Sequence, residues 1–154
     1  MLSVATIHNK TDFAGMRKAG QLAAETLDMI AEHVKPGVTT ESLDKKCFEF
    51  ADKNNACIAP LYYKGFPKSV CTSINHVICH GIPSSRVLEE GDIVNIDVTV
   101  IVDGWHGDTS RMYKIGKINN KAQKLIDCTY EAMMLGINEI APNKRMLSSM
   151  TPTI

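Results

Sequence analysis

The sequence predicts an α+β fold built around an antiparallel sheet. Apolar residues recur at helical spacing near both ends of the chain, and they alternate at strand spacing in its middle. The predicted order is therefore two helices, several short strands and a final helix, with no repeats and no linker. A chain of 154 residues fits one domain that buries its own core.

Two helices are predicted before the sheet. The first is expected to begin at Thr11 or Asp12, either of which can cap it, and to stop before Pro36-Gly37. Its buried stripe is predicted to comprise Phe13, Met16, Ala19, Ala23, Leu27 and Ile30. The second is expected to run from Thr40 to Asn54-Asn55, with inward residues Leu43, Cys47, Phe50 and Ala51.

Short strands separated by turn residues are predicted from residue 56 to residue 115. Strands at 70–74 and 77–80 are expected to flank a tight turn at Asn75-His76. A long strand is predicted from Asp92 to Val102, and a second from Trp105 to Ile115.

A last helix is predicted after the sheet. It is expected to run from about Asn120 to Leu135, with Gly136 as its stop. Its inward residues are predicted to be Leu125, Ile126, Ala132 and Met133.

The long strands carry the most informative pattern of the sequence. Asp103-Gly104 predicts a two-residue type I′ turn, because both central residues of that turn need a positive φ. Even positions from 94 to 102 are all Val or Ile and form one dry face, whereas Asn95, Asp97 and Thr99 lie on the other. If the turn holds, Thr99 lies opposite Asp108. Asp97 and Asp108 then become diagonal neighbours on one face, with their Cα atoms roughly 7–8 Å apart.

The residues alone leave two interpretations of this acidic pair open. Two converging carboxylates repel each other and lose hydration, and a bound divalent cation removes both costs. Two metal ions about 3.5–4 Å apart could share one of the carboxylates. Alternatively, both side chains simply point to solvent on an exposed face of the sheet.

Composition argues against several classes of function. Lys plus Arg and Asp plus Glu both number 17. The chain therefore lacks the excess of basic residues that would indicate a nucleic-acid partner. The five cysteines include no C-x-x-C pair, which favours reduced thiols over structural zinc or a disulfide framework. The first residues do not form a signal peptide, and no segment approaches the roughly 20 apolar residues of a membrane span. We therefore expect a cytoplasmic protein.

Three segments together resemble type I methionine aminopeptidases. They are GFPKSVCTSINHVICHGIP at 65–83, GDIVNIDVT at 91–99 and GWHGDTS at 104–110. They occur in the order of that family and near its spacing, and the likeness runs from about residue 8 to residue 139. The resemblance implies a pita-bread fold, in which two pseudo-symmetric α+β halves hold a dinuclear metal site between them.

The resemblance also assigns roles to individual residues. Asp97 matches the bidentate ligand of one metal ion, and Asp108 matches the aspartate that bridges both. His80 matches a catalytic histidine that contacts the substrate near the scissile bond without binding metal. The positions that match the pocket for the methionine side chain are Tyr63, Phe66 and Cys71. Without the resemblance, His80 would be interpreted as a histidine at the end of a strand, and the three pocket residues as ordinary core residues.

For a complete enzyme, the resemblance implies two divalent metal ions, which the sequence does not distinguish among Co, Mn, Fe(II), Zn and Ni. They lower the pKa of a water molecule and polarise the carbonyl group next to the N-terminal methionine. The expected partners are N-terminal methionine peptides of nascent proteins, ribosome-associated chains among them, with no nucleic acid and no membrane. The family is usually monomeric.

Other ligands of that metal site are missing from this sequence. The family takes one histidine and two glutamates from its second half, but no histidine follows His106 here, and only Glu131 and Glu139 follow Asp108. Residues 1–143 are predicted to be the N-terminal part of an M24-like peptidase domain, and residues 144–154 a tail outside the family pattern. We therefore expect a truncated form that is inactive alone and binds metal weakly or not at all.

Two other functions of the same fold stay open. One is a non-catalytic pita-bread module that binds peptides or proteins, and the intact Asp97, Asp108 and His80 argue against it. The other is a proline-directed peptidase, and the segment from Cys71 to Pro83, which is of methionine aminopeptidase type, argues against that.

Overall fold

The computed structural model of the chain describes residues 6–142. The chain divides between residues 117 and 118 into two compact units. The helices are α1 (Lys10–Ala31), α2 (Thr40–Lys53) and α3 (Asn120–Asn138), and the strands are β1 (Cys57–Ile58), β2 (Cys71–Ile74), β3 (Ile93–Val102) and β4 (Trp105–Lys114). The predicted α+β class with an antiparallel sheet is confirmed. The boundary expected between residues 143 and 144 lies outside the described residues.

Strand β3 is the centre of the sheet. It pairs along its whole length with β4 on one side, and with β2 and β1 on the other, always antiparallel. Its even residues are buried, as the alternation predicts, and they face the core. That core comprises Ala19, Leu22, Ala23, Leu27, Ile30, Leu43, Cys47, Ala51, Val70, Leu88, Val94, Ile96, Val98, Val100, Val102, Tyr113 and Ile115.

Helix α1 packs against β3 and β4 at close range. A Cβ atom at Gly107 would lie 2.1 Å from the carbonyl oxygen of Ala19, so this approach requires glycine. Near the start of the helix, a Cβ atom at Gly15 would likewise clash with the ring of Trp105. Phe13 and Met16 were predicted to be buried but are 43% and 50% exposed, because the helix face that meets the sheet there is that of Gly15.

The start of α1 also differs from the prediction. Asn9 is the cap, and its side-chain oxygen accepts hydrogen bonds from the backbone N–H groups of Thr11 and Asp12. The Asp12 carboxylate accepts one in return from the Asn9 N–H at 2.9 Å. Asp12 is therefore the second member of a capping box rather than the cap itself.

Helix α2 begins and ends where the sequence predicts. Thr39 caps it, and Asn54 follows its last residue. Its inward residues are confirmed as buried at Leu43, Cys47 and Ala51, with Phe50 partly buried.

Helix α3 belongs to the second compact unit. Asn119 caps it, and the helix continues through Gly136 to Asn138, so the expected stop is wrong. A single helical glycine costs only about 1 kcal/mol and need not end a helix. None of the described residues of α3 is buried, and the predicted inward residues Leu125 and Met133 are about half exposed. Apolar spacing predicted the helix correctly but not the burial of its stripe.

Within residues 6–142, no helix combines the length and the apolar character needed to cross a bilayer.

Candidate metal site and its surroundings

The β3–β4 hairpin places Asp97 and Asp108 on one face of the sheet. The turn residues Asp103 and Gly104 have φ values of 51° and 84°, as a type I′ turn requires. The register pairs Thr99 with Asp108 and Asp97 with Ser110, which confirms the predicted pairing. Both carboxylates therefore project from the face opposite to the buried Val and Ile residues.

The charges of the two carboxylates and of His80 act on one another. Burial and the nearby charge of Asp108 both raise the pKa of the Asp97 carboxyl, and the charge of His80 opposes them. Within residues 6–142, the side chains of Asp97 and Asp108 form neither a hydrogen bond nor an ion pair that would offset this repulsion. A partly buried carboxylate beside an exposed one of like charge is an arrangement that a divalent cation stabilises.

The donor set fits a cation in part. Carboxylate oxygens are suitable ligands for hard and borderline divalent ions, and both lie on the same face. In the described part of the chain, no group of three or more His, Cys, Asp and Glu side chains is arranged to hold a metal ion. Residues 6–142 therefore offer two candidate ligands at this place.

Cys71 lies beside this pair. It is the first residue of β2 and stands directly opposite Asp97 in the register of β2 and β3. Cys71, Asp97 and Ser110 therefore form a row across three strands. Burial, followed by the charge of Asp97, raises the pKa of the Cys71 thiol to about 11. This cysteine is a neutral thiol at the wall of the site.

His80 reaches the site from an irregular segment. The predicted strand at 77–80 is wrong, since these residues form no strand and Ile78 is 96% exposed. His80 has a φ of 55°, which interrupts an extended chain, and the N–H of Thr72 donates to the carbonyl of Gly81 at 2.8 Å. The turn predicted at Asn75-His76 is confirmed. The bond between Thr72 and Gly81 places the chain next to His80 beside the start of β2, where Cys71 stands opposite Asp97.

Tyr63 and Phe66 are placed less closely. Tyr63 begins the short 3-10 turn Tyr63–Gly65 and is 66% exposed, with the Lys64 ammonium group 5.4 Å from its ring centroid. Phe66 follows this turn and is partly buried. Both belong to the segment that leads into Cys71, but the described hydrogen bonds and ring contacts do not join either one to the acidic pair.

Sequence reasoning missed two buried aspartates that hold the ends of β2. Asp44 accepts hydrogen bonds from the N–H groups of Ser69 and Val70, just before the strand. Asp92 accepts one from the Asn75 side chain, just after it. The sequence does indicate that Asp44 is buried, because it lies three residues before Cys47 and therefore on the apolar face of α2.

Comparisons with known proteins show which family and which structures the chain resembles. The model of metallopeptidase family M24 matches residues 14–150. The methionine aminopeptidase of Rickettsia prowazekii (strain Madrid E) is 61% identical over 140 residues, which are 91% of this chain and 54% of that protein. The chain thus spans about half the length of the curated relatives that it matches.

Two solved structures share the fold. The crystal structure of methionine aminopeptidase from Rickettsia prowazekii superposes with a TM-score of 0.86 at 63% identity, covering 87% of this chain and 54% of that one. The methionine aminopeptidase of Thermotoga maritima also gives a TM-score of 0.86, at 28% identity, covering 90% of this chain and 56% of that one. In both comparisons, about half of the larger chain has its counterpart here.

Proposed function

This chain belongs to metallopeptidase family M24, and from that membership we propose that the complete protein removes the N-terminal methionine from peptides by metal-dependent hydrolysis. Its fold is the N-terminal part of the pita-bread fold of that family. The observation that carries the proposal is the 61% identity to a methionine aminopeptidase, over a stretch that includes the hairpin with both aspartates.

We assign the metal-binding role to Asp97 and Asp108. The unpaired, half-buried state of Asp97 beside a second carboxylate supports this assignment. When bound there, divalent ions supply Lewis-acid chemistry and lower the pKa of water, which peptide hydrolysis at neutral pH requires. The metal stays unspecified among Co, Mn, Fe(II), Zn and Ni.

The remaining roles fall to the residues around the acidic pair. His80, close enough to alter the pKa of Asp97, is proposed to hold the substrate near its scissile bond. Cys71 is proposed to line the pocket for the methionine side chain, since it is an uncharged, buried thiol opposite Asp97. Tyr63 and Phe66 are proposed to complete that pocket, because a thioether side chain packs well on aromatic rings.

The proposal extends to the setting of the reaction. The substrates are N-terminal methionine peptides of nascent chains, ribosome-associated ones included, and the protein acts in the cytoplasm as a monomer without a nucleic-acid or membrane partner. Two carboxylates leave most of a coordination shell to other ligands, so we expect the 154 residues alone to be inactive and to bind metal weakly.

An assay of methionine release from a Met-Ala-Ser peptide tests the proposal. The 154-residue chain is measured with Co²⁺, Mn²⁺ or Fe²⁺, alone and together with the C-terminal half of the Rickettsia prowazekii relative. We expect release only in the combined sample. Asp97→Asn and Asp108→Asn should each lower it by more than the roughly 100-fold that loss of an outer-shell partner causes. Asp103→Asn is the matched control and should leave the rate unchanged, because Asp103 lies exposed in the turn.

Each alternative has its own outcome in this assay. Sustained metal-dependent release by the pure 154-residue chain would refute the expected inactivity. Peptide binding without release in the combined sample would favour the non-catalytic binding module. Release from a peptide with proline in second place, but not from Met-Ala-Ser, would favour a proline-directed peptidase.

A further inference from the structure

Strand β2 is too short to fix its own position. It has four residues and pairs with β3 along one edge. A residue with a positive φ follows it at Asn75, and the segment before it contains another at Lys64. Its first residue, Cys71, nevertheless stands in register with Asp97. Something other than strand pairing must hold the chain just before Cys71.

Helix α2 supplies that hold through a buried carboxylate. Asp44 is only 7% exposed, and one of its oxygens accepts hydrogen bonds from the N–H of Ser69 at 2.7 Å and of Val70 at 3.1 Å. A buried charge is tolerated only when such bonds replace its hydration, and hydrogen bonds to a carboxylate are stronger than neutral ones.

A second carboxylate on the same helix acts on the preceding residue. Glu41 lies one turn before Asp44 and forms an ion pair with the Lys68 ammonium group at 2.6 Å. This contact lowers the pKa of Glu41 and raises that of Lys68. One helix therefore contacts residues 68, 69 and 70 in succession. The helix itself is anchored in the core by Leu43, Cys47 and Ala51.

We propose that Asp44 is a positioning residue for the candidate site, which holds the start of β2 so that Cys71 stays opposite Asp97. In this role Asp44 touches neither substrate nor metal. Its importance for recognising the methionine side chain rests on the proposed function, whereas the positioning of Cys71 does not.

The test compares the alkylation rates of two buried thiols in the full chain, without metal or substrate. Cys71 starts β2, and Cys47 lies on α2 in the core. Rates are measured by mass spectrometry of peptides for wild type, Asp44→Ala and Asp44→Asn. Asp52→Ala is the control, because Asp52 is exposed on the same helix.

The expected result is a selective acceleration. In Asp44→Ala, loss of both hydrogen bonds should open the start of β2 and speed alkylation of Cys71 about tenfold more than that of Cys47. The negative charge of Asp44 raises the pKa of both thiols, and both variants remove that charge. Only Asn keeps an oxygen that can accept hydrogen bonds from Ser69 and Val70. Asp44→Asn should therefore keep the rate ratio close to that of wild type.

Three results would overturn the proposal. Equal acceleration of both cysteines in Asp44→Ala would show a general loss of stability rather than positioning. An unchanged Cys71 rate would show that β2 does not depend on Asp44, and an Asn variant as fast as Ala would show that the oxygen is not what matters. If Asp44→Ala does not fold, hydrogen exchange of wild type decides instead, since fast exchange of the Ser69 and Val70 amides contradicts the hydrogen bonds. None of these results depends on methionine release.

Discussion

The two parts of the candidate site are built in different ways. The hairpin of β3 and β4 supplies Asp97 and Asp108 from regular strands, whose register follows from one two-residue turn. The segment between β1 and β3 supplies the predicted substrate-contacting residues from mostly irregular backbone. It contains four residues other than glycine with a positive φ, namely Tyr62, Lys64, Asn75 and His80.

The difference lies in the range of the interactions that fix each part. Asp-Gly chemistry and alternating burial are local, so the hairpin geometry is determined by about twenty consecutive residues. The segment before β3 is held by contacts that are distant in sequence: Asp44 on α2 accepts from Ser69, and Asp92 at the end of the segment accepts from Asn75. Its conformation therefore depends on the rest of the fold already being in place.

The largest predicted effect compares the same substitution in both parts. Ile96 is fully buried on the dry face of β3, whereas Ile78 is almost fully exposed. Ile96→Ala should lower the free energy of unfolding by about 2–5 kcal/mol, because it removes buried methyl groups and leaves a cavity. Ile78→Ala should change it by less than about 0.5 kcal/mol. Urea denaturation measures both, and similar losses for the two variants would contradict the assigned burial.

The same contrast explains which predictions from sequence succeeded. The register that places Thr99 opposite Asp108 was predicted correctly, because a one-residue shift would expose the even-numbered Val and Ile residues of β3. The strand expected at 77–80 was wrong, because apolar residues there suggested pairing although Ile78 faces solvent. Asp44 was missed because its partners are backbone N–H groups 25 and 26 residues away. Helical spacing indicates that Asp44 lies on the buried face of α2, but it does not identify these partners.

A smaller effect tests whether the turn alone sets the hairpin. Gly104 has a φ of 84°, and nothing lies within 4 Å of a Cβ atom built there. Gly104→Ala should therefore cost about 1–2 kcal/mol from backbone strain alone. Asp103→Asn is the matched control, since asparagine also suits this turn while its side chain loses the charge that pairs with Lys18 at 2.7 Å. A loss in Asp103→Asn with none in Gly104→Ala would mean that the ion pair, rather than the turn, stabilises the hairpin.

The smallest effect concerns the charge that the hairpin carries. Burial and Asp108 raise the pKa of Asp97 above its ordinary value of 3.8, so between 3.8 and the raised value the folded chain binds more protons than the unfolded chain. The free energy of unfolding therefore falls as pH rises through that interval. Asp97→Asn should stabilise the metal-free chain at neutral pH by up to about 1 kcal/mol, the size of a cross-strand charge pair. The gain should disappear below the ordinary pKa, where the carboxyl is neutral.

Thermal unfolding in EDTA, at neutral and at acidic pH, measures the difference in stability between Asp97→Asn and wild type. Asp103→Asn again serves as the exposed control. Millimolar Mn²⁺ should narrow the difference at neutral pH, because a cation bound between the carboxylates stabilises wild type and not the variant. A variant that is less stable than wild type in EDTA would contradict the unpaired state of Asp97. That state is the physical reason for expecting a cation at the hairpin, whereas the segment before β3 carries no comparable excess of charge and should respond to Mn²⁺ only through Asp97.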